Sequence, residues 1–107
     1  MNELTKIFKR TINVYYKSEE WKKLVYAYIY GVFSLCIVEY NSMFICTADG
    51  TRVNFVKAEA HCGQRSDLVI VEPGLDGDFY NKGHCNYYTG YYVDFDQGQI
   101  NDITPIP

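Results

Sequence analysis

Residues 32–57 read VFSLCIVEYNSMFICTADGTRVNFVK, and their hydrophobic pattern decides the expected fold. The stretch reads as three β-strands joined by two tight turns. Asp49-Gly50 is a strong two-residue hairpin signal, because a type I′ turn needs positive φ at both central positions. Asn41-Ser42 serves as the other two-residue turn. With these loops Cys46 faces Val53, Phe44 faces Phe55 and Ile37 faces Cys46, and opposed residues share a sheet face. One face then collects Phe33, Leu35, Ile37, Phe44, Cys46, Val53 and Phe55. The other collects Ser34, Cys36, Val38, Tyr40, Met43, Ile45, Thr47, Arg52, Asn54 and Val56. A slip of one residue would exchange every side chain between the faces, so the clean sorting argues for this register.

Two helices are expected ahead of the strands. In residues 3–16, Leu4, Ile7, Phe8, Ile12 and Tyr15 follow the spacing of one helical face, with Asn2 as a cap and Glu3 in the first turn. A second helix spans 19–30. Ser18 is its N-cap, Glu19 and Glu20 suit the positive end of the dipole, and Glu19 with Lys23 is a favourable pair. Trp21, Leu24, Val25, Tyr28 and Ile29 make its apolar stripe, and Gly31 suits the left-handed residue that closes a helix. A strand competes over 24–30, where Val25, Ala27 and Ile29 alternate with Tyr26, Tyr28 and Tyr30.

Beyond the meander, 58–66 is a connector or short helix and 67–72 a short strand stopped by Pro73-Gly74. Residues 75–83 read as a loop. Tyr87-Tyr88 and Tyr91-Tyr92-Val93 flank Thr89-Gly90 as a last hairpin or one bent strand, and Gln97-Gly98 turns the chain again. Residues 103–107 form an extended tail. The fold class is therefore α+β: two N-terminal helices packed on an antiparallel β-meander of about four to six strands, in a single domain covering 1–107. The second sheet face, with Val38, Tyr40, Met43, Ile45 and Val56, needs a cover of its own.

Composition narrows the function class. The 107 residues are 48% hydrophobic and 21% charged, values of a globular chain. The net charge of −3 is uneven: residues 1–30 carry six basic and three acidic side chains, residues 31–107 four and ten. The acidic part repels nucleic acid, and no basic stripe with interleaved aromatics appears. The uncharged run 24–38 is too short for a bilayer and lacks a cleavage site, so a cytoplasmic, soluble protein with free thiols is expected. Cys36 and Cys46 point to opposite faces in the expected register, which prevents a bond between them.

His61-Cys62 and His84-Cys85 supply a zinc ligand set in kind. Their spacing argues against a metal, because structural sites place two to four residues between paired ligands. A Cys/His nucleophilic pair drawn from these residues would need an orienting group, with Asp67, Asp78 and Asn86 as candidates. Asp76-Gly-Asp78 and Asp94-Phe-Asp96 resemble pieces of calcium loops, yet Tyr87 stands where a bidentate glutamate is required. No cofactor is expected.

Eleven tyrosines and an acidic, loop-rich second half suit a binding surface. The leading expectation is a small non-catalytic protein-interaction module: an inhibitor, an immunity-type protein or an accessory protein. Its contacts would be Tyr80, Tyr87, Tyr88, Tyr91 and Tyr92, with Asp76, Asp78, Asp94 and Asp96 steering a basic partner protein. The alternatives are a small enzyme using a Cys/His or carboxylate site and an obligate homodimer through the second sheet face.

Overall fold

A computed structural model describes residues 10–58, 65–75 and 86–106. Among them are seven strands and one helix, in the order β1 (Arg10–Tyr16), α1 (Glu19–Val32), β2 (Ile37–Asn41), β3 (Phe44–Thr47), β4 (Thr51–Lys57), β5 (Arg65–Val71), β6 (Asn86–Asp96) and β7 (Gln99–Pro105). The strands form one mixed sheet in the order β2-β3-β4-β1-β5-β6-β7. This corrects the expected pair of helices on an antiparallel meander. Both the β1–β4 and the β1–β5 pairings are parallel, as is β5–β6. Only the outer pairs β2–β3, β3–β4 and β6–β7 are antiparallel.

The first expected helix fails because residues 10–16 are the central strand. Thr11, Ile12, Val14, Tyr15 and Tyr16 are β-branched or aromatic, which suits a pleated surface better than a helix. A strand with parallel neighbours on both sides is buried on both faces, so its apolar residues need not alternate with polar ones. Ile12, Val14 and Tyr16 meet the helix-covered core, while Tyr15 packs with Val69 and Val71 on the opposite face. Residues 3–9 of that expected helix lie outside the described residues.

The second helix is present. Ser18 accepts a hydrogen bond from the Trp21 amide at 3.0 Å, and Glu19 and Glu20 occupy the first turn. The helix runs through Gly31 to Val32, so Gly31 does not close it. Residues 33–36 then turn, which removes Phe33 and Leu35 from the strand; Leu35 is 99% exposed. Trp21, Val25 and Ile29 pack on Val14, Ile45, Val53 and Phe55. The Trp21 indole N–H donates to the Val93 carbonyl at 2.9 Å, tying the helix to β6. The β1–α1 corner is held by buried Glu72, whose Oε1 accepts from the Lys17 and Ser18 amides, each at 2.9 Å.

Both expected turns are displaced by one residue. Thr47, Ala48, Asp49 and Gly50 form a turn with Gly50 N–H donating to the Thr47 carbonyl, and Gly50 has φ +92°. The loop therefore holds three residues, ending in a left-handed glycine. Ile45 consequently pairs with Val53, and Cys46 with Arg52. Phe55 lies in the helix-covered core, whereas Phe44 lies on the far face beneath the Arg52 guanidinium, 4.3 Å from its ring centre. At the other turn Asn41 pairs with Phe44, leaving Ser42-Met43 as the loop. The Asn41 Oδ1 accepts from the Met43 and Phe44 amides at 2.7 and 3.1 Å, so Asn41 opens the turn instead of occupying its centre.

The supposed second-face patch is accordingly divided. Ile45 is in the helix-covered core, and Val56 packs beside Tyr15 on the opposite side. Cys36 is exposed, Cys46 is buried, and both are free thiols.

The C-terminal half is closer to expectation. Residues 86–96 form one long strand, and Gln97-Gly98 is a two-residue turn with φ +52° and +79°. Residues 103–105 of the expected tail are part of strand β7, whose Pro105 pairs with Tyr91, and Pro107 lies outside the described residues. No helix among the described residues is long and apolar enough to cross a membrane.

Candidate functional site

The helical repeat places Glu19, Lys22, Lys23 and Tyr26 along one flank of α1. That flank faces the β2–β3 turn across an open groove of about 710 Å³, completed by Tyr16, Tyr40, Asn41, Ser42 and Met43. Two features fix its shape. The Tyr26 hydroxyl donates to the Asn41 carbonyl at 2.8 Å, which ties the helix flank to the turn. The Asn41 side chain then sets the direction of Ser42 and Met43.

An aromatic row backs the groove. Tyr26 contacts Phe55 of the core at 5.0 Å and stacks on Tyr30 at 6.2 Å, and Tyr30 meets Tyr40 edge-on at 5.2 Å. Burial raises the Tyr26 pKa above the ordinary phenol value, helped by the neighbouring Tyr30 and Tyr40. A hydrogen bond with Tyr40 raises that of Tyr30. These hydroxyls are therefore neutral donors and acceptors at physiological pH.

Lys22 is the unusual member. It is only 8% exposed, and its ammonium lies 5.1 Å from the centre of the Tyr16 ring. Among the described residues no carboxylate comes within ion-pair reach of it, and the Glu19–Lys23 pair expected from the sequence is not formed. Among the described residues the groove lining contains no histidine or cysteine. It offers flat aromatic surface, a thioether and positive charge.

A second groove, of about 550 Å³, lies on the opposite face between Pro73, Gly74 and Leu75 and the β6–β7 hairpin, where Tyr92, Asp94, Asp102 and Thr104 line it. Asp94 and Asp102 stand directly opposite each other across the two strands. Asn101 donates to Asp94 at 3.4 Å and Thr104 to Asp102 at 3.1 Å, which offsets part of their repulsion. No cluster of three or more potential metal ligands occurs among the described residues.

The sequence-derived contact residues are distributed over several places. Tyr91 is half-buried against the helix-covered core, while Tyr92 packs on the opposite face beside Val69 and Val71. Asp94 lines the second groove, and Asp96 is exposed beside the Gln97-Gly98 turn. Tyr87 and Tyr88 belong to β6, with their side chains outside the described residues, as are Asp76, Asp78, Tyr80, His61, Cys62, His84 and Cys85. Sequence reasoning missed Lys22 and Tyr26, and it placed Tyr40 and Met43 in a second-face patch away from the helices. The signal for the first two was present: positions 19, 22, 23 and 26 form a charged and aromatic stripe adjoining the apolar one.

Comparison with family models, curated proteins and solved structures finds no match to this chain.

Proposed function

We propose that this protein is a non-catalytic interaction module that holds a segment of a partner protein in the groove between α1 and the β2–β3 turn. The observation that carries the reading is the lining itself: Tyr26, Tyr40 and Met43 beside a nearly buried lysine with no carboxylate counterpart among the described residues. Aromatic anchors and methionine are the residues that recognition surfaces favour, the aromatics for large contact area at few rotatable bonds and methionine for its adaptable, polarizable thioether. Tyr40 and Met43 are both more than half exposed, so their surface is available to a partner. The acidic groove of Asp94 and Asp102 faces the other way, and a partner seated against α1 does not reach it.

The test is selection of displayed peptides on the immobilised protein, followed by affinity measurement with a Tyr40→Ala/Met43→Ala variant. Both side chains are exposed, so the variant should melt within a few degrees of the parent. Selected peptides should lose at least about tenfold in affinity. Peptides that bind the variant equally well would sink the reading.

A further inference from the structure

We infer that the segment held in this groove is acidic, carrying a carboxylate that seats on the Lys22 ammonium beside an aromatic or aliphatic side chain. The inference rests on the groove being the recognition site and names the chemistry of its occupant.

Lysine is seldom as covered as Lys22, which is only 8% exposed as a residue and has no carboxylate within ion-pair reach among the described residues. The Lys22 ammonium lies 5.1 Å from the centre of the Tyr16 ring, and Lys22 is part of the groove lining. Lys23 adds a second positive charge to the same lining, and among the described residues Glu19 is its only carboxylate. A negatively charged group is therefore the complement of the two lysines in this lining. The remaining lining specifies the rest of the ligand. Tyr26, Tyr40 and Met43 bind flat apolar groups. Two lysines at one groove suit a carboxylate on a peptide. A nucleic acid backbone requires an extended run of cations, and the chain as a whole has net charge −3.

Three hexapeptides alternating phenylalanine with aspartate, asparagine or lysine, and a short single-stranded oligothymidylate, serve as probes in amide-resolved NMR titrations. The aspartate peptide should shift the amides of Lys22, Tyr40 and Met43. Its affinity should fall about tenfold in Lys22→Met and be largely retained in Lys22→Arg, which keeps the charge. Because Lys22→Met alters packing on Tyr16, salt dependence of the unmodified protein gives a second reading: binding should weaken as ionic strength rises. Equal affinity for the aspartate and asparagine peptides, without salt dependence, would overturn the acidic ligand while leaving the groove as the recognition site. Absence of shifts in the groove with every peptide would overturn both. Tighter, Lys22-dependent binding of the oligonucleotide would show the ligand class to be wrong.

Discussion

The two faces of the central strand β1 bury their residues by different means. On the helix-covered face, Val14 meets Val53, Phe55, Val25 and Ile45 in an apolar core. On the far face Tyr15 joins Val69 and Val71, and next to them lies a polar ladder. There the Asn54 amide donates to Asn13 Oδ1 at 3.1 Å, and the Arg52 Nε donates to Asn54 at 2.7 Å. Asn13 is fully buried, and among the described residues its side-chain amide nitrogen has no partner. The difference teaches that burial and apolarity separate in this sheet. A strand flanked by parallel neighbours is enclosed on both sides, and its polar residues must be matched by the strands beside it.

The strongest challenge to that comparison is truncation on each face. Phe55→Ala and Tyr15→Ala should each cost about 3–5 kcal/mol in denaturant unfolding, since both side chains are essentially inaccessible. A cost below about 1 kcal/mol for Tyr15→Ala would mean that the far face is no core. Next comes Glu72→Ala, which removes the acceptor of two amides at the β1–α1 corner and should cost about 2–3 kcal/mol. Glu72→Gln, retaining an acceptor oxygen, should cost less.

Asn13→Leu sharpens the contrast further. It removes a buried unpaired donor while also taking the acceptor from half-exposed Asn54, so stability should change by no more than about 1 kcal/mol. The smallest effect is expected at the turn. Hydrogen bonds from Thr47 and Thr51, with the Arg10 guanidinium 3.0 Å away, hold the Asp49 carboxyl below its ordinary pKa. A carboxyl depressed by folding contributes stability above its unfolded value and loses it as pH falls through the folded one. Asp49→Asn should therefore lower stability slightly in the neutral region and flatten the acid limb of the thermal stability profile, so that the two proteins converge below about pH 4.

Local signals were legible where the physics is local. Ser18 capped its helix as read, Trp21, Val25 and Ile29 faced the core, and Gln97-Gly98 turned the chain. The strand register was misread because two loop types share the Asp-Gly signature. Gly50 is the third loop residue here, stabilised by the Thr47 hydroxyl donating to Asp49, and that single shift carries Phe44 to the far face. The identity of β1 was not legible, because its pairing depends on residues 51–57 and 68–71 and leaves no local periodicity. The groove inherits the same gap. Tyr40 reaches α1 only in the observed register, whereas the expected one put it on the face away from the helices.

Placing the earliest described strand at the middle of the sheet has a consequence for how the chain assembles. Arg10–Tyr16 leaves the ribosome first, yet its two neighbours are translated some forty and fifty-five positions later, as the pairings Asn13–Asn54 and Asn13–Val69 show. Until β5 emerges, the centre of the sheet has an open flank, and no nascent fragment ending before residue 68 can close it. Folding should thus be slow for a domain of this size and governed by distant closures, with the unfinished chain dependent on protection from aggregation during synthesis.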